Sequence, residues 1–169
     1  YADIHSTYLL LKKGLLSEAK QKADQAIIFA GRLGMGIQVQ IYFCRKAQAQ
    51  ILLNDMEGAK ESLLNAKKTI DQHKYLMPVL SMQYFISQFM ADVYLIKEAI
   101  ISNDRKNLSR LKKNARQSGK RALNTSKKFA VHSVEALRLM GKYYWLIGKQ
   151  KKALNWWDRA MKKGEKLGA

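Results

Sequence analysis

A fixed spacing of small residues recurs along this chain, and no other feature restricts its fold as much. The clearest copy is C-terminal: Gly141, Gly148, Ala153 and Ala160, with the bulky Leu137, Tyr144 and Trp157 placed among them. Ala47, Asn54, Ala59, Leu63 and Ala66 repeat the spacing of Gly141, Gly148, Ala153, Trp157 and Ala160 residue for residue, and Phe43 stands where Leu137 stands. Thr7, Gly14, Ala19, Ala23 and Ala26 keep the register again, with Leu10 at the aromatic position. Helix axes approach closely only where side chains are short, so the small residues mark crossing points and the large ones fill the space beside them. The pattern predicts pairs of packed antiparallel helices. The first pair begins at the chain end and is expected to be truncated.

A further copy starts at Met90-Ala91-Asp92-Val93-Tyr94, but its second-helix residues Ala115, Gly119 and Ala122 begin 24 positions after Ala91, against 12 elsewhere. At about 3.6 residues per turn, an insertion shared between two antiparallel helices lengthens each by nearly two turns and keeps the stacking register. This hairpin is predicted to be elongated. Caps and breakers then give eight helices, near 2–13, 16–33, 36–53, 56–72, 78–102, 105–128, 131–147 and 150–167, and no strand. Asn54-Asp55 and Asn103-Asp104 are expected to cap the helices that follow, and Glu18 supplies an acidic first turn. The only proline, Pro78, falls where a helix start tolerates its missing N–H.

The order bulky, small, aromatic on one helix and Ala, aromatic, Ala on the next resembles the tetratricopeptide repeat, a helix pair of about 34 residues. The match is strongest in the last copy and extends over nearly the whole chain. The resemblance implies an all-α fold, a right-handed α-solenoid of four or so hairpins: 1–34, 36–72, an elongated 77–129, and 131–167. It implies one array over 1–169 that binds proteins or peptides and has no catalytic activity. The long basic third hairpin and degenerate repeats are similar to helical arrays attached to large bacterial signalling proteins, such as multidomain ATPases, cyclases or transcription regulators. That similarity implies a regulatory or scaffolding arm.

With 169 residues, 47% of them hydrophobic, the chain is long enough for a sizeable core and too apolar to be wholly disordered. No stretch approaches the roughly 18 uninterrupted apolar residues of a membrane span, and no secretory signal precedes the first helix. The lack of an initiator Met points to a piece of a longer protein. A single cysteine, Cys44, cannot form an internal disulfide, which makes the cytoplasm the expected compartment.

Charge is the second strong feature: 31 Lys and Arg against 13 Asp and Glu leave a formal net charge of +18. The excess is concentrated. Segment 105–128 holds Arg105, Lys106, Arg110, Lys112, Lys113, Arg116, Lys120, Arg121, Lys127 and Lys128 and no acidic residue. On a helix these fall on one half, opposite Leu108, Leu111, Ala115 and Ala122, so the charged half is predicted to face outward as a basic ridge. Lys149, Lys151, Lys152, Lys162, Lys163 and Lys166 form a second basic group in the last hairpin. Three readings of the ridge stand: a solvated face, a docking face for an acidic protein partner, and a surface for nucleic acid or anionic membrane. No Phe, Tyr or Trp interrupts 105–128, so a stacking platform for single strands is not encoded there.

Catalytic and metal chemistry find little support. His5, His73 and His132 are scattered, and Cys44 has no nearby Cys or His, so neither a metal nor a cofactor is expected. Cys44 reads as a buried small hydrophobe. Gly31, Gly34 and Gly36 follow a helix, where a C-cap and tight turn explain them better than a phosphate loop.

The resemblance also implies a partner site, because function in that family resides in the concave groove lined by first helices. Carried onto this sequence, the groove positions are Arg45, Gln48, Ile51, Phe85, Phe89, Asp92, Arg138, Lys142 and Trp145. Such a mixed apolar and basic set suits a peptide with acidic and hydrophobic residues. A clamp for chaperone C-terminal carboxylates is not expected, because Tyr8, Arg45, Phe85 and Phe89 occupy the positions where that clamp has its Asn, Asn, Lys and Arg. Three functions therefore remain in view: a protein-binding module, a nucleic-acid-associated repeat using Arg105, Arg110, Lys112, Lys113, Arg116, Lys120 and Arg121, and a homo-oligomer assembled through the array ends.

Overall fold

A computed structural model describes residues 2–72, 77–127 and 129–168. Among them are eight α-helices and no strand: α1 (Ala2–Lys12), α2 (Leu16–Arg32), α3 (Gly36–Leu52), α4 (Met56–Gln72), α5 (Met77–Ile101), α6 (Arg105–Ser126), α7 (Ala130–Leu146) and α8 (Gln150–Glu165). Each bound lies within a residue or two of the sequence expectation. His73 and Lys128 lie outside the described residues. At 25 and 22 residues, α5 and α6 exceed the 17 of α2, α3, α4 and α7, so the inserted residues extend both arms of the third hairpin.

One turn design joins most of these helices. Gly14, Gly34, Asn54, Asn103 and Gly148 adopt left-handed backbone, with φ between 55° and 77°. At each, the following N–H reaches back to the carbonyl five residues earlier, as in Asp55 to Gln50 at 2.8 Å and Lys149 to Tyr144 at 2.9 Å. This Schellman closure satisfies carbonyls that a helix end leaves unpaired, and only Gly or Asn enters that conformation at low cost. The expected Asn-Asp caps divide their labour: Asn54 and Asn103 close the preceding helix, while Asp55 accepts from the Gly58 N–H at 2.9 Å and Asp104 from the Asn107 N–H at 3.2 Å. Gly34 closes α2 in the same way, as the C-cap reading of the glycine cluster requires.

Contacts divide the chain into two compact units, Tyr1–Ser87 and Gln88–Ala169. In the first, α1 packs on both α2 and α3, α2 on α3, and α3 on α4. The α2 core face is a stripe of Ala19, Ala23, Ala26 and Ala30, and α4 contributes Ala59, Ser62, Leu63 and Ala66 at helical spacing. Alanine faces let α3 come close on both sides, and α3 is buried at nearly every position from Cys44 to Ile51. Gln50 ties the α3–α4 hairpin together, donating to Asp55 at 2.9 Å and accepting from Ser62 at 2.7 Å.

In the second unit, α7 packs on α6 and α8. The repeat positions again supply the contacts: Ala91, Ala115, Ala122 and Ala153 are at most 4% exposed. A methyl group added to Gly119 would sit 2.9 Å from both Met140 Sδ and Phe89 Cζ, and one added to Gly141 would collide with the Trp157 indole. Both glycines are crossing points that tolerate no side chain.

Candidate functional site

The odd-numbered helices carry the residues chosen as groove positions, and within each unit they form a polar and aromatic face. In the first unit a side-chain relay crosses three helices. The Arg45 guanidinium on α3 lies 4.6 Å from the ring centroid of Tyr8 on α1, a cation–π contact between neighbouring helices. Arg45 also donates to Gln48 Oε1 at 3.3 Å, and Gln48 Nε2 donates to the Ser87 hydroxyl of α5 at 2.9 Å. Arg45 and Gln48 are each 9% exposed, so this relay lies inside the protein. Phe85 is half-buried, in edge-to-face contact with Tyr84 at 5.5 Å.

Two of the nine groove positions present no surface. Ile51 and Phe89 are fully buried, Ile51 because the alanine-faced neighbours of α3 enclose it and Phe89 because it fills the space opened by Gly119. A partner cannot use Phe89 as an anchor. Asp92 points toward α6: it accepts from Gln88 at 3.2 Å and is hydrogen-bonded by Ser118, and burial raises its carboxyl pKa against the pull of those two donors.

The accessible part of the second unit's face is a cationic and aromatic cluster on α5 and α7. Tyr94 is flanked by Lys97, 4.8 Å from its centroid, and by Lys142 of α7 at 5.6 Å. Desolvation, then the nearby Arg138 and Lys97 charges, lower the Lys142 pKa. Arg138 is exposed and paired with Glu135 at 2.7 Å, and its carbonyl accepts from Trp157 Nε1 at 3.2 Å. Trp145 is 47% exposed and packs at a tilt against Trp157, with ring centroids 5.6 Å apart. Tyr94 and Lys97 were not among the sequence-derived positions. Their spacing on α5 places them on one face, but only the packing of α7 beside that face brings Lys142 to Tyr94.

The ridge residues Arg105, Arg110, Lys113, Arg116, Lys120 and Arg121 are exposed on α6, opposite buried Ala115, Ser118, Gly119 and Ala122. Lys112 is half-buried, and its carbonyl accepts from the Tyr143 hydroxyl at 3.3 Å. Among the described residues, no three His, Cys, Asp or Glu side chains converge where a metal ion could be held, and no helix is long and apolar enough to cross a membrane. Comparison of the chain with family models, curated proteins and solved structures gave no match.

Proposed function

We propose that this chain is a tetratricopeptide-like interaction module, a right-handed solenoid of helical hairpins whose odd-numbered helices line a groove for an acidic, partly hydrophobic peptide. The observation that carries the reading is the Lys97, Tyr94, Lys142 and Arg138 cluster beside the exposed Trp145. Lys142 already bears the cost of partial burial beside two like charges. A carboxylate arriving there relieves that repulsion, and an aromatic or aliphatic residue on Trp145 removes apolar surface from water. The crossing-point glycines and alanines and the packing of α1 on both α2 and α3 support the stacked hairpins. On this reading the protein is not an enzyme, and its setting is a regulatory or scaffolding arm.

Titration of fluorescein-labelled peptides that combine Asp or Glu with Phe or Leu tests the reading. Lys142→Glu and Trp145→Ala are each expected to weaken the Kd at least about tenfold, the scale of an interface hot spot. Lys113→Glu with Arg116→Glu on α6 is expected to alter mainly the salt dependence. A loss with the α6 pair and none with the α7 variants would transfer the function to the basic ridge. A nucleic-acid role for that ridge is the second reading, and it rests on the exposed run of cations on a helix without acidic residues.

A further inference from the structure

A different face of the second unit holds a cleft of about 580 Å³ between the C-terminal turns of α6, the start of α7 and the last half of α8. Five cations line it: Lys127, Arg159, Lys162, Lys163 and Lys166. Among its described lining residues none is acidic. Lys162 is held by Asp158 at 2.8 Å, and among the described residues none of the other four has a carboxylate within ion-pair distance. Lysines near a helix C-terminus are favoured by the helix dipole, which accounts for their presence on α8. The same dipole favours Lys127 at the C-cap of α6, but it does not require two helix ends to present their cations to one cleft.

Two features make this a formed site. Arg159 is stacked on Trp156, its guanidinium carbon 4.2 Å from the ring centroid, and Trp156 in turn lies nearly parallel to Tyr144 with centroids 6.3 Å apart. Stacking fixes the guanidinium plane, so its paired donors are oriented before a ligand arrives. Leu123, Leu137 and Trp156 give the cleft an apolar wall beside the cations. The volume lies within the roughly 300–1,000 Å³ of small-molecule sites.

We propose that this cleft binds a multiply phosphorylated small molecule of nucleotide size, its phosphates on Arg159, Lys127, Lys163 and Lys166 and its ring against the apolar wall. A single carboxylate neutralises one of these charges and leaves the rest repelling each other, whereas a di- or triphosphate matches the group. Arg159 supplies the bidentate contact, and the lysines act as point charges on the remaining oxygens. The site is separate from the Lys142 and Trp145 cluster and does not depend on it.

Isothermal titration of the whole chain with adenosine triphosphate, and in parallel with tripolyphosphate, tests the proposal. The nucleotide is expected to bind one to one and more tightly than tripolyphosphate. Arg159→Lys keeps the charge but loses the stacked fork and is expected to weaken binding by about tenfold. Lys163→Gln is expected to weaken it as well, while Lys113→Gln, which removes the same charge from the outer face of α6, leaves it within about twofold. Arg159 and Lys113 are exposed and Lys163 is half-buried, and circular dichroism checks that the helices persist in each variant. Equal losses from Lys113→Gln and Lys163→Gln, an Arg159→Lys protein indistinguishable from wild type, or tripolyphosphate binding as tightly as the nucleotide would overturn the proposal. So would binding of RNA or anionic vesicles with none of the nucleotide.

Discussion

Replacing Gly141 by alanine isolates the packing argument from helix propensity, because the two effects have opposite sign. Gly141 lies inside α7, where alanine gains about 1 kcal/mol over glycine by intrinsic propensity. The added methyl group collides with the five-membered ring of Trp157, a part of the side chain that cannot bend away. Overpacking of this kind costs roughly 1–3 kcal/mol. Displacing the indole also breaks the Nε1 hydrogen bond to the Arg138 carbonyl, worth about 1 kcal/mol. The sum is a net destabilisation of about 1–3 kcal/mol, which at roughly 2–4 °C per kcal/mol lowers the melting midpoint by several degrees. Gly31→Ala is the matched control: it sits in the last turn of α2 with open space around a new Cβ, so it is expected to stabilise by up to about 1 kcal/mol. In a Trp157→Leu background the collision is gone, and Gly141→Ala should become stabilising as well. Urea unfolding of the wild type and these four variants, followed by circular dichroism, gives the differences. Stabilisation by Gly141→Ala in the wild-type background, equal to that of Gly31→Ala, would refute the crossing-point account.

Three other measurements follow from buried and capping groups. Burial pushes the Cys44 thiol up to about 12 and leaves it inaccessible, so a disulfide reagent at neutral pH is expected to react with it at the rate of unfolding; immediate stoichiometric labelling would contradict the burial. Burial holds the folded pKa of Asp92 above the ordinary 3.8, so its ionisation costs stability progressively as the pH rises from 3.8 through the folded pKa, and fully above it. Asp92→Asn is therefore expected to raise the melting midpoint at neutral pH, with the advantage fading as the pH falls through the folded pKa toward 3.8; a pH-independent difference would refute the assignment. Asp55 has the opposite sign: the Gly58 N–H and then Gln50 hold its carboxyl below 3.8, and the cap contributes above that value and is lost as the pH falls through the folded pKa. Asp55→Ala is expected to cost about 1 kcal/mol at neutral pH, measured by urea unfolding, and much less in acid.

The helices were legible because their signals are local. The turn residues Gly14, Gly34, Asn54, Asn103 and Gly148 announce the ends of five helices through the one backbone conformation that favours Gly or Asn. Small residues at fixed spacing announced the contact faces, and every alanine of that pattern in α2, α4 and α8 is buried. The site was less legible. Family register selected Ile51 and Phe89, but register ranks positions along a helix and does not reveal how deeply the neighbouring helices enclose them. Trp156 and Arg159 are neighbours along α8, but Tyr94 with Lys142, and Lys127 with Arg159, become groups only through packing between helices. The sequence shows Lys127 and the Lys162, Lys163 and Lys166 group as two separate basic runs, but no sequence period links them, so their convergence on one cleft was not legible.

Amide hydrogen exchange of the whole chain, with and without the tightest-binding acidic peptide, addresses the central claim most directly. The account predicts slowed exchange on peptide binding over residues 138–146 of α7 and 94–98 of α5, with the amides of α6 from 105 to 121 unchanged. Slowed exchange confined to α6, with α5 and α7 unaffected, would contradict a peptide site on the odd-numbered helices and place recognition on the basic ridge.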